Sequence, residues 1–234
     1  MTTSRRVGIL GGTFDPIHCG HLDVGAAAHA ALGLGEILIL PSNIPPHRPR
    51  PLASSYQRFA MVALAIAGRP GWRALDLELR EATRSYTSDT LQRLHDEGFN
   101  TPELFFITGA DAFVEIATWK NYPAVLDLAH FAVVSRPGAP VGDLPARLPA
   151  LADRMRFKEV RLKADVTNDA DDTHGTLIFL IDAPTADVSS TAIRRARARR
   201  ESIAGMVTPA VQQHIEQHGL YEDSASVAAS GTGR

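Results

Sequence analysis

Two histidines three residues apart, His18 and His21, close the segment Gly11-Gly-Thr-Phe-Asp-Pro-Ile-His-Cys-Gly-His21. At a helix start, residues at that spacing share a face. Two imidazoles held there, protonated or as neutral N–H donors, could stabilise charge building on a pentacoordinate phosphorus. Gly11 and Gly12 let the backbone approach a ligand closely and leave N–H groups free for phosphate oxygens. A His-x-x-His alone is most often surface decoration. Zinc is a further alternative, with Cys19 and Asp15 nearby. But helical geometry points Cys19 away from the histidines, and no second Cys/His cluster supplies more ligands. Position after a buried strand and a glycine pair favours phosphate. There is no Gly-x-Gly-x-x-Gly, so a dinucleotide-binding dehydrogenase loses its main support.

A second anion-type segment is Val188-Ser-Ser-Thr-Ala-Ile-Arg194. Ser189, Ser190 and Thr191 offer hydroxyls beside the free N–H groups of a helix start, and the helix dipole adds to them. Arg194, one turn in, adds a guanidinium fork. Arg195, Arg197, Arg199 and Arg200 read as a solvated face, since aromatic residues to stack nucleic-acid bases are missing. Other polar groups cluster after apolar runs. Gly109-Ala-Asp111 suits a ribose contact, and Arg136 in Ser135-Arg-Pro-Gly138 would face phosphate. Asn43, His47 and Arg48 lie in a proline-rich loop. Thr87 reads as a helix cap. Trp119, in a polar stretch with Lys120, could stack on a flat ring.

The elements that must position these groups alternate. Buried strands are expected at 6–10, 36–40, 72–77, 104–108, 131–135 and 176–181. Helices are expected at 21–32, 54–67 and 88–96, with an Arg-rich one opened by Ser189 or Ser190. A last helix runs from Thr208-Pro209 to near Gly219. Such alternation predicts an α/β fold, a Rossmann-like doubly wound parallel sheet with a small C-terminal helical part. One domain is expected over 5–222, with 223–234 a small, polar, disordered tail.

The 234 residues are 44% hydrophobic and 21% charged, with net charge −2. That balance argues against nucleic acid or an anionic membrane as main partner. No apolar run reaches the length of a membrane span, and the stretch at 7–10 is too short for a signal-peptide core. The single cysteine fits a reducing cytoplasm.

The 11–21 segment resembles the Gly-Gly-x-Phe-Asp-Pro-x-His-x-Gly-His signature of the nucleotidyltransferase superfamily. Over residues 5–222 the chain resembles its nicotinate mononucleotide adenylyltransferase branch. The resemblance implies in-line attack by a mononucleotide phosphate on the α-phosphorus of ATP, releasing pyrophosphate without a covalent intermediate. It implies that His18, His21 and Arg194 are catalytic. Gly11, Gly12, Thr13, Phe14, Gly109, Asp111, Ser189, Ser190 and Thr191 would bind ATP. Asn43, His47, Arg48, Thr87, Trp119, Lys120 and Arg136 would bind the acceptor. Val188 and Arg48 replace the usual isoleucine and lysine, and Lys120 stands where an aromatic residue is also found. No protein metal site is implied; Mg²⁺ would arrive with ATP. Nicotinamide mononucleotide and phosphopantetheine are alternative acceptors, and a non-catalytic nucleotide-binding regulator is the rival from another class.

Overall fold

The computed structural model describes residues 5–45, 49–81, 83–160 and 175–222. Expectations placed on His47, Arg48 and the tail lie outside these residues. Seven strands form one sheet: β1 (Val7–Gly12), β2 (Glu36–Pro41), β3 (Trp72–Ala74), β4 (Leu104–Gly109), β5 (His130–Val134), β6 (Met155–Lys158) and β7 (Ile178–Ile181). Every neighbouring pair is parallel, and the order is β3-β2-β1-β4-β5-β7-β6. The helices are α1 (Cys19–Leu32), α2 (Ser55–Ala65), α3 (Thr87–Asp96), α4 (Ala110–Phe113), α5 (Leu144–Arg147), α6 (Ser190–Ala198) and α7 (Pro209–Gln217).

The strands are apolar throughout because both faces of the sheet are covered. Side chains alternate between two cores. Leu10, Ile37, Ile39, Phe105 and Ile107 pack on the side of α1, α2 and α7. Val7, Ile9, Leu38, Leu40, Leu104 and Phe106 pack on the other side, with Leu91 and Leu94 of α3. Each such fully buried side chain contributes about 1.5–3 kcal/mol.

The chain runs outward from β1 to β2 and β3, then returns to place β4 on the other side of β1. Strand order reverses there, so a crevice opens beyond the carboxyl ends of β1 and β4, where open α/β sheets bind ligands. The glycine-histidine segment leaves β1 into that crevice, and Gly109-Ala-Asp111 leaves β4 beside it.

The structure departs from the sequence reading in a few places. β1 runs through the glycine pair to Gly12 instead of stopping at it. The expected strand at 72–77 ends at Ala74, and Leu77 opens a 3-10 turn. Thr87 is the first residue of α3, with Tyr86 in the cap position and no side-chain cap. β6 was not expected. Its Met-Arg-Phe-Lys sequence at the sheet edge exposes Arg156 and Phe157, which hides the apolar pattern of a strand.

His130 gives the fold one acid-sensitive point. Its Nδ1 accepts the Leu177 N–H at 2.9 Å, and its ring stacks on Phe105 at 4.9 Å. Burial first, then Arg6 and Arg154, hold its pKa down to about 4. Burial, with Arg136 second, does the same to His18. Both must be neutral in the fold, while in the unfolded chain they take protons near pH 6.5. Their stabilisation is complete above pH 6.5 and is lost as pH falls towards 4. The unfolding free energy from urea titrations should therefore fall across that window by up to about 3 kcal/mol per histidine, and a flat profile between pH 6.5 and 4 would contradict it.

Candidate active site

The exit from β1 is shaped by one aromatic ring. Phe14 takes a positive φ of 49°, a region that non-glycine residues seldom adopt. Its ring folds back over Gly12, where a Cβ would lie 2.9 Å from Cε1 and Cζ. Only glycine fits there. The same ring meets His21 edge-on at 5.0 Å.

His18 occupies the cap position of α1 and is 3% exposed. The His18 and His21 rings stack at 3.7 Å with 25° between their planes, so the spacing does bring them together. The His18 N–H donates to His21 Nδ1 at 3.3 Å. A nitrogen that accepts carries no proton, so neutral His21 has its hydrogen on Nε2. His18, with its pKa near 4, is also neutral at physiological pH. Of the two states open in the sequence, the neutral donor is the one this environment favours.

The second anion-type segment docks directly on this exit. Ser189 caps α6 by accepting the Ala192 N–H at 3.1 Å. Ser190 Oγ donates to the Pro16 carbonyl at 2.9 Å. Arg194 donates to the Asp15 carbonyl at 2.7 Å and to Thr191 Oγ1 at 3.2 Å. Two segments about 175 residues apart thus share one backbone turn. The Ser190 hydroxyl is committed to holding it and the Ser189 hydroxyl to capping α6, while Thr191 is exposed and Arg194 half-buried.

Beneath the turn lies a polar support that sequence reasoning missed. Arg58 of α2 is 1% exposed. Its guanidinium donates to the carbonyls of Thr13 at 2.7 Å, Ser42 at 2.6 Å and Asn43 at 3.3 Å. It therefore stitches the β1 exit to the β2 exit. Asp15, weighed from sequence only as a metal ligand, accepts from the N–H groups of Leu52 and Ala53 at 2.8 and 3.0 Å and from Tyr221 Oη at 2.9 Å. Burial, then Asp15, pushes the Tyr221 phenol well above its usual range. Burial also raises the Glu78 carboxyl, which accepts from Thr90 Oγ1 at 2.6 Å. The one legible signal was Asp15, inside the motif. An arginine in an amphipathic helix gives no hint that it points inward.

The β2 exit connects onward to the other wall. Asn43 N–H donates to Ser85 Oγ at 2.8 Å, and Ser85 N–H to the Ile44 carbonyl at 3.0 Å. Tyr86 and Thr87 follow. Lys120 Nζ reaches both Asp89 oxygens at 2.8 Å and lies 4.9 Å from the centre of the Tyr86 ring. In the sequence no acidic residue adjoins Trp119, but folding brings Asp89 to its neighbour, where the ammonium neutralises it. Trp119 is half-buried, edge-on to Phe106 at 5.9 Å and tilted on Phe131 at 6.4 Å. One edge of the indole is core; the remainder faces out.

Arg136, grouped from sequence with the acceptor side, has its contacts elsewhere. Its side chain lies over Gly109, where a Cβ would meet its Cγ at 2.9 Å and Asp111 Oδ1 at 2.4 Å. Its Nη2 donates to the Val188 carbonyl at 3.3 Å. These are segments read as the ATP side. Among the described residues, no group of three or more His, Cys, Asp or Glu side chains converges on a metal position. No helix among them is long and apolar enough to cross a membrane.

A family model described as Cytidylyltransferase-like matches residues 9–196. The chain is 39% identical over 216 residues to a protein of Klebsiella pneumoniae named probable nicotinate-nucleotide adenylyltransferase, covering 91% of this chain and 95% of that one. A protein of the same name from Aeromonas hydrophila is 42% identical over 215 residues, 92% of this chain and 96% of the other. Among solved structures, the Plasmodium falciparum nicotinic acid mononucleotide adenylyltransferase complexed with NaAD superposes with a TM-score of 0.70 at 17% identity, over 93% of this chain and 97% of that one. At that identity the likeness concerns the fold. With the sequence relatives at about 40% over nearly their whole length, the chain belongs to the cytidylyltransferase-like family, in its nicotinate-nucleotide adenylyltransferase branch.

Proposed function

We infer that the chain transfers AMP from ATP to nicotinate mononucleotide, giving nicotinate adenine dinucleotide and pyrophosphate. The observation that carries this is the docking of α6 on the β1 exit through Ser190 and Arg194, with two stacked histidines beside it. Donors held in advance around one crevice suit a charged transition state that needs little covalent help. Aligning acceptor phosphate and ATP for in-line displacement supplies roughly 7–11 kcal/mol. Each preorganised donor adds about 3–4 kcal/mol by analogy with oxyanion holes.

In this reading His18, His21 and Arg194 meet the ATP phosphates. Gly11, Gly12, Thr13, Phe14 and Thr191 shape their cradle, and the helix start capped by Ser189 and pinned by Ser190 adds its dipole. Gly109 and Asp111 take the ribose. Asn43, Thr87, Trp119 and Lys120 form the acceptor wall, and the sequence resemblance adds His47 and Arg48 to the acceptor-binding set. Mg²⁺ would arrive with ATP, carried by phosphate oxygens and water and neutralising charge on ATP. A reducing cytoplasm is the compartment the single cysteine suits. Pyrophosphate release from ATP that depends on nicotinate mononucleotide supports the assignment; release that depends only on another phosphate acceptor overturns it.

Trp119 tests the acceptor wall. Trp119→Ala should raise the mononucleotide KM by roughly 2–13-fold for the lost stack, with a smaller change for ATP. Because the indole edge also packs on Phe106, the melting temperature should fall too. Trp119→Phe should recover most of both. A lowered melting temperature with an unaltered acceptor KM would make Trp119 core alone.

A further inference from the structure

We propose that Arg136 is a positioning residue for His18: its guanidinium holds the Nδ1 edge of the ring as an acceptor, so that His18 offers Nε2–H to the transferring phosphate. The inference deepens the function proposed above and rests on it for the role of His18.

Two orphaned atoms carry the argument. Among the described residues, His18 Nδ1 and Arg136 Nη1 are both buried and without a hydrogen-bond partner. They border the same space. A Cβ on Gly20 would lie 2.6 Å from Arg136 Nη1, 3.3 Å from His18 Nδ1 and 2.9 Å from the Ala186 carbonyl. The glycine between the two histidines is therefore the gap through which a cation from the β5 exit reaches the first turn of α1. Any side chain there would separate them.

A buried guanidinium N–H and a buried ring nitrogen left unpaired side by side are complementary only when the nitrogen carries no proton. Gly20, with no side chain, leaves the space between them open. The capping box points the same way, with the His18 ring turned towards the backbone N–H of His21. A ring edge facing donors on two sides is held as an acceptor, and neutral imidazole then has its hydrogen on Nε2. His21 is fixed in the same tautomer by a different donor, the His18 N–H. The charged and titratable groups set against His18 are Arg136 from the β5 exit and His21 on its own helix. The guanidinium also disfavours a second proton on the ring, which agrees with the low His18 pKa. Arg136 is itself anchored by its bond to the Val188 carbonyl, just before α6. One side chain thus links the histidine turn to the serine-opened helix.

The direct rival is that Arg136 binds phosphate itself. Imidazole ¹⁵N NMR on the full chain separates the two. In the wild-type protein, His18 should show an unprotonated Nδ1 and a protonated Nε2 from pH 6 to 8. In Arg136→Gln the tautomers should mix and the His18 midpoint should rise, with kcat lower by about 10–100-fold and a smaller change in ATP KM. Arg136→Lys, which keeps the charge, should hold the midpoint low and recover part of kcat. A wild-type His18 protonated on Nδ1 overturns the proposal, whether or not the variants fold. So does an Arg136→Gln protein whose His18 spectrum is unaltered while only ATP KM rises. If the tautomer is as stated but nicotinate mononucleotide is not adenylylated, the functional reading fails and the positioning of His18 stands.

Discussion

Substituting alanine for His21 should lower kcat by about 100–1,000-fold while changing ATP affinity much less. The size follows from removing one preorganised donor, by analogy with oxyanion holes. The split follows from when the donor acts: a hydrogen bond that strengthens only as charge develops affects kcat more than KM. The ring is well placed for this role. Its Nδ1 is occupied by the His18 N–H, and Phe14 abuts it edge-on. Both contacts are in place before any substrate binds, which suits a donor that needs little reorganisation as the phosphorus becomes pentacoordinate. Steady-state kinetics on the variant provide the check. A large rise in ATP KM with kcat retained would turn His21 into a ground-state binding residue. Stoichiometric zinc in the wild-type protein, lost in the variant, would restore the metal reading.

Arg58→Leu should destabilise the fold by about 3–5 kcal/mol, the range for breaking a buried charged network. For a chain of this size that lowers the melting temperature by roughly 6–20 °C. Three carbonyls, on Thr13, Ser42 and Asn43, lose their donor together. They are buried or half-buried, and each unmet acceptor costs about 1–3 kcal/mol. Asp15 also loses a nearby positive charge. Arg58→Lys keeps the charge but cannot serve three acceptors from one planar fork, so its loss should be intermediate. The surviving protein should show weakened use of both substrates, because Arg58 joins the loops that would hold each of them. A melting temperature within about 3 °C of wild type would show that water or a neighbour replaces the guanidinium.

The sheet was legible because β1, β2, β4, β5 and β7 are continuous apolar runs, the pattern that parallel strands buried on both faces require. β6 was not, because an edge strand with Arg156 and Phe157 exposed has no such run. At the site, the glycine pair and the two histidines could be read because their spacing is local. Their tautomers could not: that of His21 depends on where the folded backbone aims the His18 N–H, and that of His18, in the proposal above, on Arg136, over a hundred residues away. Arg58, Tyr221 and Glu78 escaped for the same reason. Each is polar in a segment that looks solvated, and only the tertiary fold turns it inward. The reverse happened at Lys120. The sequence placed it beside Trp119, but its partner Asp89 comes from the first turn of α3.

One competition experiment addresses the central claim most directly. The protein is incubated with ATP, Mg²⁺ and equal concentrations of nicotinate mononucleotide, nicotinamide mononucleotide and phosphopantetheine. Products are separated chromatographically, and pyrophosphate is counted. Nicotinate adenine dinucleotide should be the main product, formed in equal amount with pyrophosphate. A dominant product from phosphopantetheine, or no adenylylated product at all, would contradict the account.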